Sequence, residues 1–291
     1  MLFRSVSQSR YNTTGTGNTA LGYVALVGNT TGINNTAVGC KSLVTNSTGS
    51  DNVAVGVCAL YRNTGGGNNV AIGNLAMRDN TTGAVAVAIG FRAAQNNTTA
   101  NSNIAIGDAA LLTNSTSTGL VAIGSDALRN NTAANNTAVG HLALNSNTTG
   151  TFNTAVGTYA LRSNTTGQGN SAFGVNALCA STGNGNTGLG VNTLRFNTGT
   201  ENTAVGSAPL YRNTGGSCNT AIGRYALGKN TTGNWNIAVG WYAQCAISTG
   251  INNTIAIGCN AQTTANSHHT VWGNASNNVC NCVYAAWMHL S

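Results

Sequence analysis

One short unit, Asn-Thr-Ala-Val-Gly-x-x-Ala-Leu-x-x-Asn-Thr-Thr-Gly, recurs from about residue 18 to residue 273, and this periodicity constrains the fold more than any other feature of the chain. Its anchoring glycines are Gly22, Gly39, Gly56, Gly73, Gly90, Gly107, Gly124, Gly140, Gly157, Gly174, Gly190, Gly206, Gly223, Gly240, Gly258 and Gly273. The first six intervals are 17 residues and the later ones run from 15 to 18. A unit this short cannot bury a core of its own and must stack on its copies. At about 3.3 Å per residue it has the length to trace one closed rung of two short strands and two turns.

The pattern around each glycine is that of a strand. The preceding residue is apolar in every copy, from Leu21 and Val38 to Trp272, and a β-branched residue or Ser stands two places earlier. Between them lies Ala in fourteen of sixteen copies, Gly188 and Val271 being the exceptions. Such alternation gives one bulky face and one small face. Leu fills the fourth place after the glycine in eleven of sixteen copies, which marks a second buried column. The Asn-Thr-Thr-Gly segments carry turn chemistry, because Asn and Gly tolerate the left-handed region. The expected fold is all-β: a parallel β-solenoid or β-roll of about sixteen rungs of 15–18 residues, stacked about 4.8 Å apart. The expected layout is an attachment or capping segment at 1–17, the repeats at 18–273 and a cap or linker at 274–291. So thin a core is marginal alone. The small Ala face offers close approach to another chain, and an intertwined or side-by-side homotrimer relieves both difficulties.

Composition excludes the competing classes. Charged residues make up only 6% of the chain, 12 Lys and Arg against 5 Asp and Glu, for a net charge of +7. Asn, Thr and Gly are poor helix formers, which argues against a bundle. An apolar share of 41% argues against disorder. No run of 18 apolar residues is present, so no membrane insertion is expected, and the first ten residues hold no apolar stretch of secretory length.

Little in the chain points to catalysis. The acids Asp51, Asp79, Asp108, Asp126 and Glu201 stand at scattered repeat positions. Asp108 and Asp126, on adjacent rungs, are the nearest to a glycosidase pair and read better as solvated loop carboxylates. The eight cysteines, Cys40, Cys58, Cys179, Cys218, Cys245, Cys259, Cys280 and Cys282, are equally scattered and read as structural thiols. Cys280-x-Cys282 beside His268-His269 is too sparse for a metal site, so neither metal nor cofactor is expected.

The basic residues are more regular. Arg78, Arg129, Arg162 and Arg195 fall five places after their glycines, and Arg62, Arg212 and Lys229 fall six places after. Stacking lines them along one edge as an interrupted stripe, suited to anionic glycans or to discouraging lateral aggregation. Regularly interleaved aromatics are missing, so nucleic acid is not an expected partner. Trp235, Trp241, Tyr242 and Trp272 cluster late and are the candidate contacts to a receptor or sugar, or packing beneath a capping end. Asn-x-Ser/Thr triplets, as at Asn29, Asn80, Asn164 and Asn230, arise from the repeat itself and carry little information on glycosylation.

The strand-plus-glycine pattern of Asn52-Val-Ala-Val-Gly56 and Asn103-Ile-Ala-Ile-Gly107 resembles the head repeats of trimeric autotransporter adhesins. The longer unit with Ala-Leu and Asn-Thr-Thr-Gly is similar to repeats of phage and viral tail fibres. After Gly273 the period stops, and Trp287 is followed four places on by Ser291. This ending resembles the junction before the self-cleaving intramolecular chaperone of the S74 peptidase type, which implies Ser291 as the residue at the cut. The Asp, Arg and Lys of that motif are absent. The resemblance implies a non-enzymatic fibre on a virion surface. It would be a homotrimer, open to head-to-tail stacking, that recognises a host-surface glycan or protein receptor. A cellular adhesin or filament subunit is the alternative, and an ice-binding solenoid with Thr ladders a more distant one.

Overall fold

The structure is a computed structural model, and it describes residues 11–246, 250–263 and 267–273. The chain divides into two compact units, 1–166 and 167–291, within one uninterrupted repeat array. Each is a parallel β-solenoid, and among the described residues there is no helix.

The first unit carries nine three-residue strands, β1 (Thr19–Leu21), β2 (Thr36–Val38), β3 (Val53–Val55), β4 (Val70–Ile72), β5 (Val87–Ile89), β6 (Ile104–Ile106), β7 (Val121–Ile123), β8 (Thr137–Val139) and β9 (Thr154–Val156). Each pairs in parallel with the next in the repeat's own register, Ala37 opposite Ala54 and Ala54 opposite Ala71. The second unit carries β10 (Ser171–Phe173), β11 (Thr187–Leu189), β12 (Thr203–Val205), β13 (Thr220–Ile222), β14 (Ile237–Val239), β15 (Ile255–Ile257) and β16 (Thr270–Trp272), joined in the same manner. Residues 11–17, the described part of the expected 1–17 segment, bond to the turn that follows. Thr13 donates its N–H to the Thr30 carbonyl at 2.9 Å, and Thr16 accepts from Asn34 at 2.9 Å.

Each rung holds one strand, where two were expected. The six residues after each glycine still pair from rung to rung. Cys58 N–H donates to Cys40 O at 2.9 Å, Leu60 N–H to Ala76 O at 3.0 Å and Arg62 N–H to Arg78 O at 2.9 Å. They do so without strand dihedrals, because the second and fourth residues are left-handed, Cys58 at φ 56° and Leu60 at φ 50°. A left-handed Leu costs roughly 1–2 kcal/mol. Complete burial of its side chain, worth about 1.5–3 kcal/mol, offsets that cost.

The inward and outward faces are the reverse of those that would bring the Ala face against another chain. The central Ala of the strand points into its own rung; Ala37, Ala54 and Ala88 are completely buried. The coil is narrow, and opposite the Ala column already sit Leu26, Leu43, Leu60, Leu128 and Leu144, also completely buried. No larger side chain fits between them. The bulky residues of the strands therefore face outward and are half-buried or exposed.

Asparagine completes the core. One column, Asn29, Asn46, Asn63 and Asn80, comes from the Asn-Thr-Thr-Gly turns, and a second, Asn35, Asn52 and Asn69, precedes the strands; all are completely buried. Asn63 Nδ2 donates to Asn46 Oδ1 at 2.7 Å and to Gly66 O at 2.9 Å, and Asn52 Nδ2 reaches Gly66 O at 2.9 Å. Each amide satisfies its own turn and also bonds a neighbouring rung, so the buried polar groups pair as they must. At Asn97 the ladder breaks. Asn114 turns its amide to Ser117 O, and Asn97 Oδ1 is left buried without a partner among the described residues.

Candidate functional site

The surface chemistry follows the columns. In the first unit three of the basic residues, Arg62, Arg78 and Arg129, are held in ion pairs. Arg78 Nη2 lies 2.6 Å from Asp79 Oδ2, Arg62 Nε lies 3.5 Å from Asp79 Oδ1, and Arg129 Nη1 lies 3.1 Å from Asp126 Oδ1. The hydrogen bond to Asp79 raises the Arg78 pKa further above its ordinary value. Asp126 is thereby committed to an ion pair, and Asp108 is an exposed neighbour whose backbone carbonyl accepts the Asp126 N–H. Arg162 lies over the Tyr159 ring at 5.2 Å.

In the second unit Arg195 stands over Phe196 and Tyr211, at 5.2 and 5.9 Å, and donates to the Tyr211 hydroxyl at 3.2 Å. Arg212 and Lys229, exposed on successive rungs, make no ion pair among the described residues. Beside them opens a groove of about 400 Å³ lined by Tyr211, Arg212, Tyr225, Gly228, Lys229, Tyr242 and Cys245. The reason for its position is local. Gly228 is the only glycine at the fifth place after an anchoring glycine in the described rungs, where neighbours carry Tyr211 or Cys245. A Cβ there would lie 3.0 Å from the Tyr225 carbonyl oxygen and 3.3 Å from its ring. Gly228 therefore contributes bare backbone to the groove wall, against Tyr225.

Tyr225 and Tyr242 take the same left-handed place on successive rungs, φ 56° and 54°. Their ring centres lie 5.1 Å apart, and Trp241 meets Tyr242 edge-on at 4.4 Å. Arg224 lies over Tyr225 at 5.5 Å. On the groove wall, burial pushes the Cys245 thiol pKa up from its ordinary value of 9.0, against an opposing pull from Lys229. The arrangement sets three half-buried tyrosine rings beside two cations that make no ion pair among the described residues.

Of the aromatic residues singled out in the sequence, Trp241 and Tyr242 come together. Trp235 sits in the turn before β14 and Trp272 in β16. Both are about 60% exposed, and neither makes a ring contact among the described residues. Sequence reasoning missed Tyr211, Tyr225 and Gly228. The signal was present, as Tyr at the same place in two successive repeats and a single Gly where others carry side chains. Ser291 and Trp287, Cys280 and Cys282 lie outside the described residues. Cys40, Cys58, Cys218, Cys245 and Cys259 are free thiols.

Two further surface features follow from the same columns. Asn29, Asn80, Asn164 and Asn230 are buried, so a sugar on any of them is incompatible with the folded rung. The Thr hydroxyls beside them are spent on stacking: Thr64 Oγ1 donates to Thr81 O and Thr81 Oγ1 to Thr98 O, at 3.1 and 2.9 Å. In the strands, Val53, Val70, Val87, Ile104 and Val121 interrupt any Thr column that a flat ice-binding face would need. Comparison with known protein families, with curated proteins and with solved structures gives no match.

Proposed function

We propose that the chain is a structural and adhesive fibre segment whose copies associate through the outward faces of their strands. The observation that carries this reading is the chemistry of that face. In each unit every strand turns two residues outward, the second always apolar, and no charged residue stands in either place. Ile72, Ile104, Phe173, Leu189, Ile222 and Ile237 are among the exposed large apolar side chains. For the nine rungs of the first unit, a strip two residues wide at about 4.8 Å per rung covers on the order of 400 Å². Continuous apolar patches of a few hundred Å² mark association surfaces. Three copies around an axis turn three such strips towards one another, which favours the homotrimer expected from the sequence.

The mechanism is geometric. Stacked rungs make a stiff spacer, and repeated weak contacts on several chains raise avidity towards a host surface. A viral tail or surface fibre is the version supported by the resemblance of the repeats. Analytical ultracentrifugation of the full chain at micromolar concentration tests the assembly. A three-chain mass is expected for the natural sequence, and a one-chain mass for a folded Ile89→Lys, Ile106→Lys double variant. A monomeric natural chain overturns the proposal.

A further inference from the structure

We propose that the groove at Gly228 is a binding subsite for an acidic saccharide, with Tyr225 and Tyr242 as its platform and Arg212 and Lys229 as its anion clamp; this rests on the adhesive part of the function proposed above. Three features converge there. Gly228 puts bare backbone into the wall of a groove of about 400 Å³, enough for about one or two sugar rings. Tyr211, Tyr225 and Tyr242 bring three ring systems to the groove. Tyr225 and Tyr242 lie side by side in its wall, their ring centres 5.1 Å apart and tilted by 36°. Such faces suit the axial C–H surface of a pyranose, and a phenol hydroxyl can bond its ring hydroxyls.

The charge selects the class of sugar. Arg212 and Lys229 are the cations of the groove without an ion pair among the described residues, while Arg62, Arg78 and Arg129 are held by Asp79 and Asp126. Two adjacent cations beside an aromatic platform match a carboxylate or sulfate on a sugar ring. They do not match a nucleic acid, which draws its affinity from a long track of phosphate contacts. Gly228 and the paired tyrosines occur together in no other described repeat, so the subsite is built once per chain.

The test is retention of the full chain on immobilised sialylated, uronate-containing and sulfated oligosaccharides, each beside its neutral counterpart, with a thymidine 12-mer as a further probe. At least one acidic saccharide is expected to bind ten-fold or more tighter than its neutral form. Lys229→Glu should abolish that preference. Tyr242→Ala should weaken binding at least ten-fold while the melting temperature stays within a few degrees. Lys229→Glu alters an exposed residue and keeps the test valid if Tyr242→Ala unfolds. Three results overturn the subsite: no acidic saccharide retained, retention unchanged by Lys229→Glu, or the thymidine probe bound more tightly than every sugar. The assembly mass is measured separately, so loss of the subsite leaves the fibre proposal standing, and a monomeric chain that still binds the sugar does the converse.

Discussion

Glycine carries two separate roles within one rung. At Gly90 the backbone has φ +135°, and a Cβ would lie 2.5 Å from the Gly107 carbonyl oxygen of the next rung. Both the dihedral and the stacking distance require glycine. At Gly65, in a turn, the nearest atom to an added Cβ is Thr48 Oγ1 at 3.4 Å, and φ is not left-handed. Gly90→Ala is therefore expected to cost at least about 1–3 kcal/mol from backbone strain alone, with more from rung separation. Gly65→Ala should stay within about 1 kcal/mol of the natural chain. Urea unfolding of the two variants distinguishes them, and equal losses would contradict the stacking account.

Cys245 gives a residue-scale pH prediction. Burial raises its thiol pKa above 9.0, so the folded chain keeps this proton at a pH where the unfolded chain releases it. The stability contribution is fully present below the unfolded value and falls as pH rises through the folded one. Thermal melts should accordingly decline above about pH 9, less steeply in Cys245→Ala. At pH 8, iodoacetamide followed by peptide mass mapping should modify exposed Cys259 at least ten times faster than Cys245.

At the scale of the strand, the inward column decides what each residue can be. Ala54 is completely buried between Ala37 and Ala71, opposite the column that carries Leu43 and Leu60, whereas Val53 and Val55 face outward on the same strand β3. Ala54→Val overpacks this narrow core and is expected to cost about 1–3 kcal/mol. Val53→Ala removes an outward side chain and should cost well under half as much in a dilute, unassembled sample. Chemical denaturation at sub-micromolar concentration reads the difference. The reverse order would mean that the bulky face points inward. The strand, its register and its glycine were legible from period-2 alternation and the fixed repeat. The single strand per rung was not, because the left-handed Leu column reads in sequence like any buried Leu.

For the whole molecule, stability and assembly are linked. A rung whose core holds one Leu, two Ala and two Asn side chains buries little apolar area, while the outward strips leave more exposed. If copies cover those strips, folding is stabilised by mass action. The melting temperature of the natural chain should rise by several degrees between 1 and 100 μM, and that of the Ile89→Lys, Ile106→Lys variant should not. A concentration-independent melt of the natural chain would count against association through this face.

The sequence by itself determined the rung, its spacing, the strand and the places that admit only glycine, because these are local and recur at every copy. It also placed the basic residues in two columns, since stacking converts repeat position into surface position. Only the tertiary structure decided which face of the strand is inside, because alternation is symmetric and the choice depends on the width of the coil. The structure likewise turned the Asn of the apparent glycosylation triplets into a buried ladder. It paired three of the arginines with carboxylates and brought Tyr211, Tyr225 and Tyr242 around Gly228. Apart from the local pairs Arg78–Asp79 and Arg129–Asp126, those outcomes depend on contacts between residues about seventeen apart, whose side-chain directions are set by left-handed turns that composition and period do not reveal.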